Sequence, residues 1–123
     1  MVGEADTNYD MWETSLPDPI KTDPLWRQRA YRLALFAAHL GWEDATRLAR
    51  DLRTRGLADQ LLRAVGSIGA NIAEGYSRGT GADRARLYEY ALGSARESRH
   101  WYCTVVPVLG SRVVRTRVDL WIS

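Results

Sequence analysis

Apolar residues recur at helical spacing through most of the chain that follows residue 24. Steps of four and three residues place the first set on one side of a helix. This set consists of Trp26, Ala30, Leu33, Ala37 and Leu40. Asp23 and Pro24 suit a cap and a first helical position. The pattern predicts a helix from Leu25 that can extend to Leu52, with Gly41 as the place for a kink.

A second run with the same period predicts a helix over residues 55–74. Its apolar side consists of Leu57, Leu61, Ala64, Ile68 and Ile72. Gly75 closes the run, and glycine is the residue that most readily ends a helix in the left-handed conformation. Gly66, Gly69 and Ala70 form a surface of small residues against which a neighbouring helix can press. Because each glycine costs a helix about 1 kcal/mol relative to alanine, this helix depends on tertiary packing.

The most regular pattern follows a glycine-containing connector at residues 77–83. It repeats every seven residues, as in the seam of a left-handed bundle. Its positions are Leu87, Ala91, Ser94, Ser98, Trp101, Val105 and Val108. Gly110 should end this third helix, and Val114, Val118 and Trp121 predict a short fourth one. Four helices with short connections predict an all-α, antiparallel, up-down four-helix bundle in residues 24–123.

Residues 1–23 differ from the rest in composition and in charge. Their prolines and acidic residues, without sustained periodicity, predict a disordered or extended tail with no role in the core. The tail carries six acidic residues and one lysine, a net charge of −5, whereas residues 24–123 carry sixteen arginines and nine acidic residues, a net charge of +7. We therefore expect an acidic tail that competes with phosphate ligands for a basic body.

The length and the single cysteine limit the class of protein further. A chain of 123 residues has room for one domain. Its apolar runs are interrupted by charged residues well short of the roughly 18–20 residues that a membrane span needs, and its N-terminus lacks the basic, apolar pattern of a secretory signal. The lone Cys103 has no partner for an internal disulfide, which suits a reducing compartment. We predict a cytoplasmic protein without membrane association, and a buried, inert Cys103.

The residue types that carry catalysis or bind cofactors do not occur at the required spacing. The glycines of residues 66–75 follow no predicted strand and lack the Gly-Lys-Ser/Thr of a phosphate loop. His39 and His100 stand apart from other ligand types, and the Glu-x-x-His pair of di-iron bundles is missing from the sequence. We predict no catalytic site, no metal and no cofactor.

Two polar pairs lie on the second and third helices. Asn71 and Glu74 are one turn apart, as are Ser94 and Glu97. The pairs can meet across a helix interface, where structural hydrogen bonding is favoured over a pair of catalytic carboxylates, because buried polar groups in a bundle are normally hydrogen-bonded.

The arginines form three groups in the sequence. The groups are Arg47, Arg50, Arg53 and Arg55; Arg78, Arg84 and Arg86; and Arg112, Arg115 and Arg117. Two interpretations fit them. They can be the solvated surface of a helical protein, or an oligomer can repeat them around a symmetry axis as a positive ring that binds RNA or DNA phosphates.

The segment from Ser67 to Arg78 reads SIGANIAEGYSR, preceded by QLLRA and followed by YALGSARE at residues 90–97. These motifs, in this order, resemble the four helix bundle protein family encoded in intervening sequences of bacterial large-subunit ribosomal RNA genes, which is related to accessory variability proteins of diversity-generating retroelements. The residues that match its motifs are Ser67, Asn71, Glu74, Gly75, Arg78, Gly93, Ser94 and Glu97. The acidic extension, Gly69 in place of a common proline, and the short last helix depart from the family pattern.

The resemblance implies an antiparallel bundle without enzymatic activity that assembles into a ring, typically a homopentamer. It also implies a basic surface that, in the retroelement relatives, engages nucleic acid and a reverse transcriptase. We therefore expect an oligomer that binds nucleic acid, RNA above all. The alternative is a scaffold oligomer that binds another protein and has no nucleic-acid role.

Overall fold

Three long helices form the body of the protein. The structure, a computed structural model, describes the backbone of residues 4–120 and the side chains of residues 8–120, and this part of the chain is helical without any strand. The elements are α1 (Glu4–Ser15), α2 (Asp18–Thr22), a 3-10 turn (Pro24–Arg27), α3 (Arg29–Ala49), α4 (Arg55–Tyr76), α5 (Gly81–Thr104), α6 (Val106–Leu109) and α7 (Ser111–Asp119). The prediction of an all-α protein is confirmed.

The first long helix begins later than predicted and ends earlier. Asp23 caps the 3-10 turn by accepting a hydrogen bond from the Leu25 backbone N–H at 2.9 Å, so the chain enters α3 only at Arg29. The helix continues through Gly41, where an added Cβ would lie 3.4 Å from Val65. The absence of a side chain at Gly41 therefore allows α3 to pack closely against α4.

Helix α4 packs against both α3 and α5. Gly69 lies against Ala34 of α3, with 3.6 Å between the Ala34 Cβ and a Cβ built on the glycine, whereas Gly66 is exposed and has no such neighbour. Of these two glycines, Gly69 alone makes the close helix contact that the small-residue surface predicts. Gly75 does not end the helix in the left-handed conformation. It lies inside α4, and the positive φ of the described residues occurs at Gly110, where φ is 90°.

The third predicted helix divides near its end. Pro107 lacks a backbone N–H, and its ring would clash with the carbonyl of Cys103 in a continuous helix. Accordingly α5 ends at Thr104 and α6 restarts at Val106. Gly110 then turns the chain into α7, which buries Val114 as predicted; Trp121 of the same predicted face lies outside the described residues.

The main core fills the space between the long helices and α7. Its fully buried side chains include Leu48, Leu61, Val65, Tyr102 and Val105. Leu61 and Val105 occupy positions of the predicted apolar faces, and Val65 and Tyr102 lie next to such positions, so the helical period indicated most of this core.

The acidic segment is the largest departure from the sequence prediction. It is helical in α1 and α2 rather than extended, and it does contribute to a core. Trp12 is only 9% exposed and forms a second apolar cluster with Phe36 and Leu40 of α3. The ring centroids of Trp12 and Phe36, and those of Tyr9 and Phe36, are each 5.2 Å apart. A helix places Tyr9 and Trp12 on one side, so aromatic burial outweighs the segment's polar composition.

Candidate nucleic-acid interface and a buried ion pair

The predicted phosphate-binding arginines lie at two opposite ends of the long helices. At one end, the last turn of α3 contacts α6, because the Arg47 Nη2 donates to the carbonyl of Val108 at 3.4 Å, and α7 begins two residues after α6 ends. We call this region the basic end. It consists of Arg47, Arg50, Arg53, Arg55, Arg112 and Arg115.

The remaining group surrounds the connection between α4 and α5. Arg78 pairs with Glu74, and Arg86 pairs with Asp83 at 3.4 Å. The Arg84 Nε donates to the carbonyl of Arg78 at 2.8 Å. Since α4 has 22 residues, these arginines lie about 33 Å from the basic end at 1.5 Å per residue. The three groups of arginines in the sequence therefore form two separate surfaces in the fold.

Four arginines of the basic end have no carboxylate partner among the residues that the structure describes. Arg53 pairs with Asp51 at 2.9 Å, and its hydrogen bonds lower the pKa of Asp51 to about 2. The Arg55 Nε donates to the carbonyl of Ala49 at 3.2 Å, which leaves its remaining N–H groups for other acceptors. Within the described residues, Arg47, Arg50, Arg55 and Arg115 make no ion pair. This end therefore carries a net positive charge that is accessible to an anion.

Arg117 does not belong to either surface. Its Nε donates to the Asp44 Oδ2 at 2.7 Å and its Nη2 donates to the Asp44 Oδ1 at 3.2 Å. The side chain of Arg117 is 15% exposed and that of Asp44 is 3% exposed. The guanidinium is largely buried against Asp44, so the structure separates Arg117 from the exposed arginines with which the sequence grouped it.

Tyr102 completes this buried cluster. Its hydroxyl donates to the Asp44 Oδ2 at 2.6 Å, so Asp44 receives hydrogen bonds from α5 and from α7. Burial, together with the adjacent Asp44 carboxylate, raises the pKa of Tyr102 far above its usual value. Burial alone would lower the pKa of Arg117, but the hydrogen bonds and charge of Asp44 outweigh it and raise the pKa. The cluster fixes how α3, α5 and α7 meet.

One feature of the sequence indicates this cluster. Asp44 falls four residues after Leu40 and four before Leu48, which places a carboxylate on the apolar side of α3. A charged residue at such a position requires a partner. The partner could not be identified from the sequence, because 73 residues separate Asp44 from Arg117.

The predicted polar cluster between α4 and α5 is not formed. Asn71 donates to the carbonyl of Ser67 at 2.9 Å, within α4, and exposed Glu74 pairs with Arg78. On α5, the Ser94 carbonyl accepts a hydrogen bond from Ser98 at 2.8 Å. Asn71 therefore bonds within its own helix and Glu74 to a residue just beyond the end of that helix, and among the described residues no hydrogen bond joins the two polar pairs.

Other motif residues and candidate ligands have distinct environments. On α5, Glu97 accepts a hydrogen bond from the Trp101 indole at 3.0 Å. Gly75 is buried, and a Cβ there would lie 2.8 Å from the Tyr88 ring, so its role is close packing. Gly93 is exposed and nothing lies within 4 Å of a Cβ built on it, so it makes no packing contact.

Cys103 is exposed, which contradicts its predicted burial. Cys103 directly follows buried Tyr102 on α5, so it lies on a different side of the helix from the buried face. In the part of the chain that the structure describes, no three His, Cys, Asp or Glu side chains gather as the ligands of a metal ion would. None of the helices of residues 4–120 has both the length and the apolar character to span a bilayer.

A comparison with known protein families matches the part of the chain that contains the long helices. A family model described as 23S rRNA-intervening sequence protein matches residues 28–107. This span contains α3, α4 and α5 and all the motif residues named above, whereas α1 and α7 lie outside it. Neither the curated proteins nor the solved structures include a match to the chain.

Proposed function

The chain belongs to the family of 23S rRNA-intervening sequence proteins, and from that premise we propose that it is a non-enzymatic, oligomeric protein that binds nucleic acid, RNA above all, through the basic end. The observation that carries this proposal is that, within the described residues, the exposed Arg47, Arg50, Arg55 and Arg115 at one end of the helices make no ion pair. Guanidinium groups suit phosphate oxygens because they present several donors in one plane.

The oligomeric part of the proposal rests on a second surface. A groove of about 370 Å³ lies between α3, α4 and α5, with Leu33, Ile72 and Ala91 among its lining residues. Tyr88 and Leu92, which also line it, are 41% and 50% exposed. An apolar groove of this kind offers a contact surface for another subunit. A ring of subunits, pentameric as the resemblance implies, would cover the groove and repeat the basic end around an axis.

We also propose that α7 is the fourth helix of a four-helix bundle. The buried Asp44–Arg117 ion pair holds it against the long helices, and Val114 reaches the main core. Its nine residues are far fewer than the 24 of α5. A fourth helix this short explains why the groove beside Leu120 stays open.

Salt-dependent binding tests the nucleic-acid proposal. The affinity of the full chain for labelled single-stranded RNA, duplex RNA and duplex DNA would be measured by fluorescence anisotropy over a salt series. Binding through phosphates should give a linear fall of log affinity with log salt, with a slope that decreases by about 0.7–0.9 for each phosphate contact removed. Arg50→Ala combined with Arg55→Ala should lower the slope. Arg84→Ala combined with Arg86→Ala, at the opposite end, is the matched control and should preserve it.

A scaffold function is the second candidate, and the apolar groove favours it. Light scattering of the purified chain gives the number of subunits, and a mass equal to one subunit at micromolar concentration would contradict the ring. An oligomer that binds none of the three nucleic acids even at low salt would support the scaffold and exclude the basic end as a nucleic-acid site.

A further inference from the structure

Trp42 exposes an unusually large apolar surface. The side chain lies on α3 and is 68% exposed, although tryptophan normally buries most of its ring. Glu43, the next residue, lines a different cavity, the one beneath α1. Trp42 therefore lies away from the acidic helix α1 and in front of α4.

A shallow groove begins at Trp42 and follows the contact between α3 and α4. Its volume is about 240 Å³, and small side chains form much of its wall: Ala45, Thr46, Ala49 and Ala58. Because these side chains are short, they leave room for a flat group beside the indole. Leu62 closes the far wall, so the groove offers mainly apolar contacts.

The groove leads directly to the basic end. Ala49 lines it and accepts the hydrogen bond of the Arg55 Nε at 3.2 Å. Seven residues separate Trp42 from Ala49, about 10 Å along a helix. Asp59 is the carboxylate in the groove wall, and Arg63 neutralises it at 2.9 Å. An apolar platform thus lies beside guanidinium groups, and the carboxylate of the groove wall is already paired.

We propose that Trp42 stacks an unpaired base of single-stranded nucleic acid, while the adjoining phosphates bind Arg55 and Arg50. This inference rests on the proposed nucleic-acid function and identifies the form of nucleic acid that the site takes. An aromatic ring next to a basic surface provides both contacts that single strands need, because every base has a face to stack and every nucleotide has a phosphate. Bases in a duplex already stack on each other and offer no free face to an indole.

Substitution of Trp42 in the full chain tests this inference. Labelled oligouridylate and an RNA duplex serve as probes in anisotropy titrations at fixed salt. Trp42→Ala should weaken oligouridylate binding by about 5- to 150-fold, the range expected for one base–aromatic stack, with an unchanged salt slope and an unchanged affinity for duplex. Trp42→Phe should retain most of the binding. Tyr90→Ala removes an aromatic side chain that is 54% exposed elsewhere on α5, and it should have no effect.

Intrinsic fluorescence provides a second readout. Stacking on a base should quench the indole emission of the wild-type chain, and Trp42→Phe should lose that quenching while it still binds oligouridylate. Equal binding of oligouridylate by wild type and Trp42→Ala would overturn the inference, as would an equal loss for single strands and duplex. A changed subunit number in Trp42→Ala would place the residue in a subunit contact instead. If the wild-type chain binds no nucleic acid, the proposed function itself fails.

Discussion

At the scale of single residues, the buried Asp44–Arg117 pair should dominate the stability of the fold. Arg117→Met leaves a carboxylate that is 3% exposed without its counter-charge, a change that typically costs about 3–5 kcal/mol. Urea unfolding should show this loss, and Asp44→Leu combined with Arg117→Met should lose less. Arg115→Met, on an exposed residue of the same helix, should change the free energy of unfolding by less than about 0.5 kcal/mol. Equal effects of the two single substitutions would contradict a stabilising role for the pair.

Two tyrosines should make the fold sensitive to alkaline pH. The pKa of Tyr102 is raised by burial and by Asp44, and burial together with the hydrogen bond to Glu13 raises the pKa of Tyr9 to about 12. The unfolded chain ionises its tyrosines near pH 10, so the unfolded state loses protons first. The stabilisation is present below about pH 10 and is lost as the pH rises toward the folded-state pKa values.

Urea midpoints between pH 9 and pH 11.5 would measure this loss. Tyr102→Phe removes the titrating group but also removes the hydrogen bond to Asp44, so the informative quantity is the slope with pH rather than the absolute stability. The slope should be smaller in Tyr102→Phe than in wild type. An identical slope would show that other groups control the alkaline transition.

Substitution of two glycines on α4 by alanine distinguishes the effect of packing on stability from the effect of helix propensity. Both Gly66→Ala and Gly75→Ala gain about 1 kcal/mol of helix propensity. A Cβ at Gly66 meets nothing within 4 Å, whereas a Cβ at Gly75 would lie 3.2 Å from the Leu87 Cβ. Gly66→Ala should therefore raise the thermal midpoint, and Gly75→Ala should be about 1–3 kcal/mol less stable than Gly66→Ala because of overpacking. Equal midpoints would mean that Tyr88 moves aside at no cost.

At the scale of elements, α1 should behave as a unit that can leave the body without unfolding it. Its aromatic cluster is separate from the main core, and no residue of α2 is buried. Trp12→Ala should detach α1, which would appear as faster amide exchange in residues 8–15, while the urea midpoint of the long helices stays close to wild type. Met11→Ala, at a neighbouring residue that is 68% exposed, is the control. A large fall in the midpoint for Trp12→Ala would show that α1 and the body unfold together.

Elements that are held by local, periodic contacts could be predicted from the sequence, whereas elements that are held by contacts between distant residues could not. Helix α4 was predicted at residues 55–74 and occurs at Arg55–Tyr76, because its apolar period is local and continuous. Helix α1 was missed, since its attachment depends on two aromatic side chains in an acidic segment. The Asp44–Arg117 pair and the division of the arginines between two ends depend on how distant segments fold back, and periodicity carries no information about that.

At the scale of the whole molecule, the acidic segment lies far from the basic end, whereas the sequence predicts that this segment competes with phosphate ligands for the basic body. Glu13 of α1 lines a cavity together with Arg29 and Arg32 at the start of α3. The basic end lies beyond the other terminus of that helix, which spans 21 residues, about 30 Å at 1.5 Å per residue. Glu13 therefore does not occupy the basic end. It can affect a phosphate ligand there only through long-range electrostatic repulsion.

Neutralising acidic residues of α1 while keeping its aromatic anchor tests this field effect. Glu4→Gln, Asp6→Asn and Asp10→Asn together remove three negative charges and leave Tyr9 and Trp12 unchanged. RNA binding should tighten at low salt, because the body then attracts phosphates more strongly. The difference should disappear near 0.15 M salt, where the screening length is only about 8 Å. Tightening that persists at high salt would instead indicate direct occupation of the basic end by the acidic segment, and no change at low salt would show that the segment does not regulate binding.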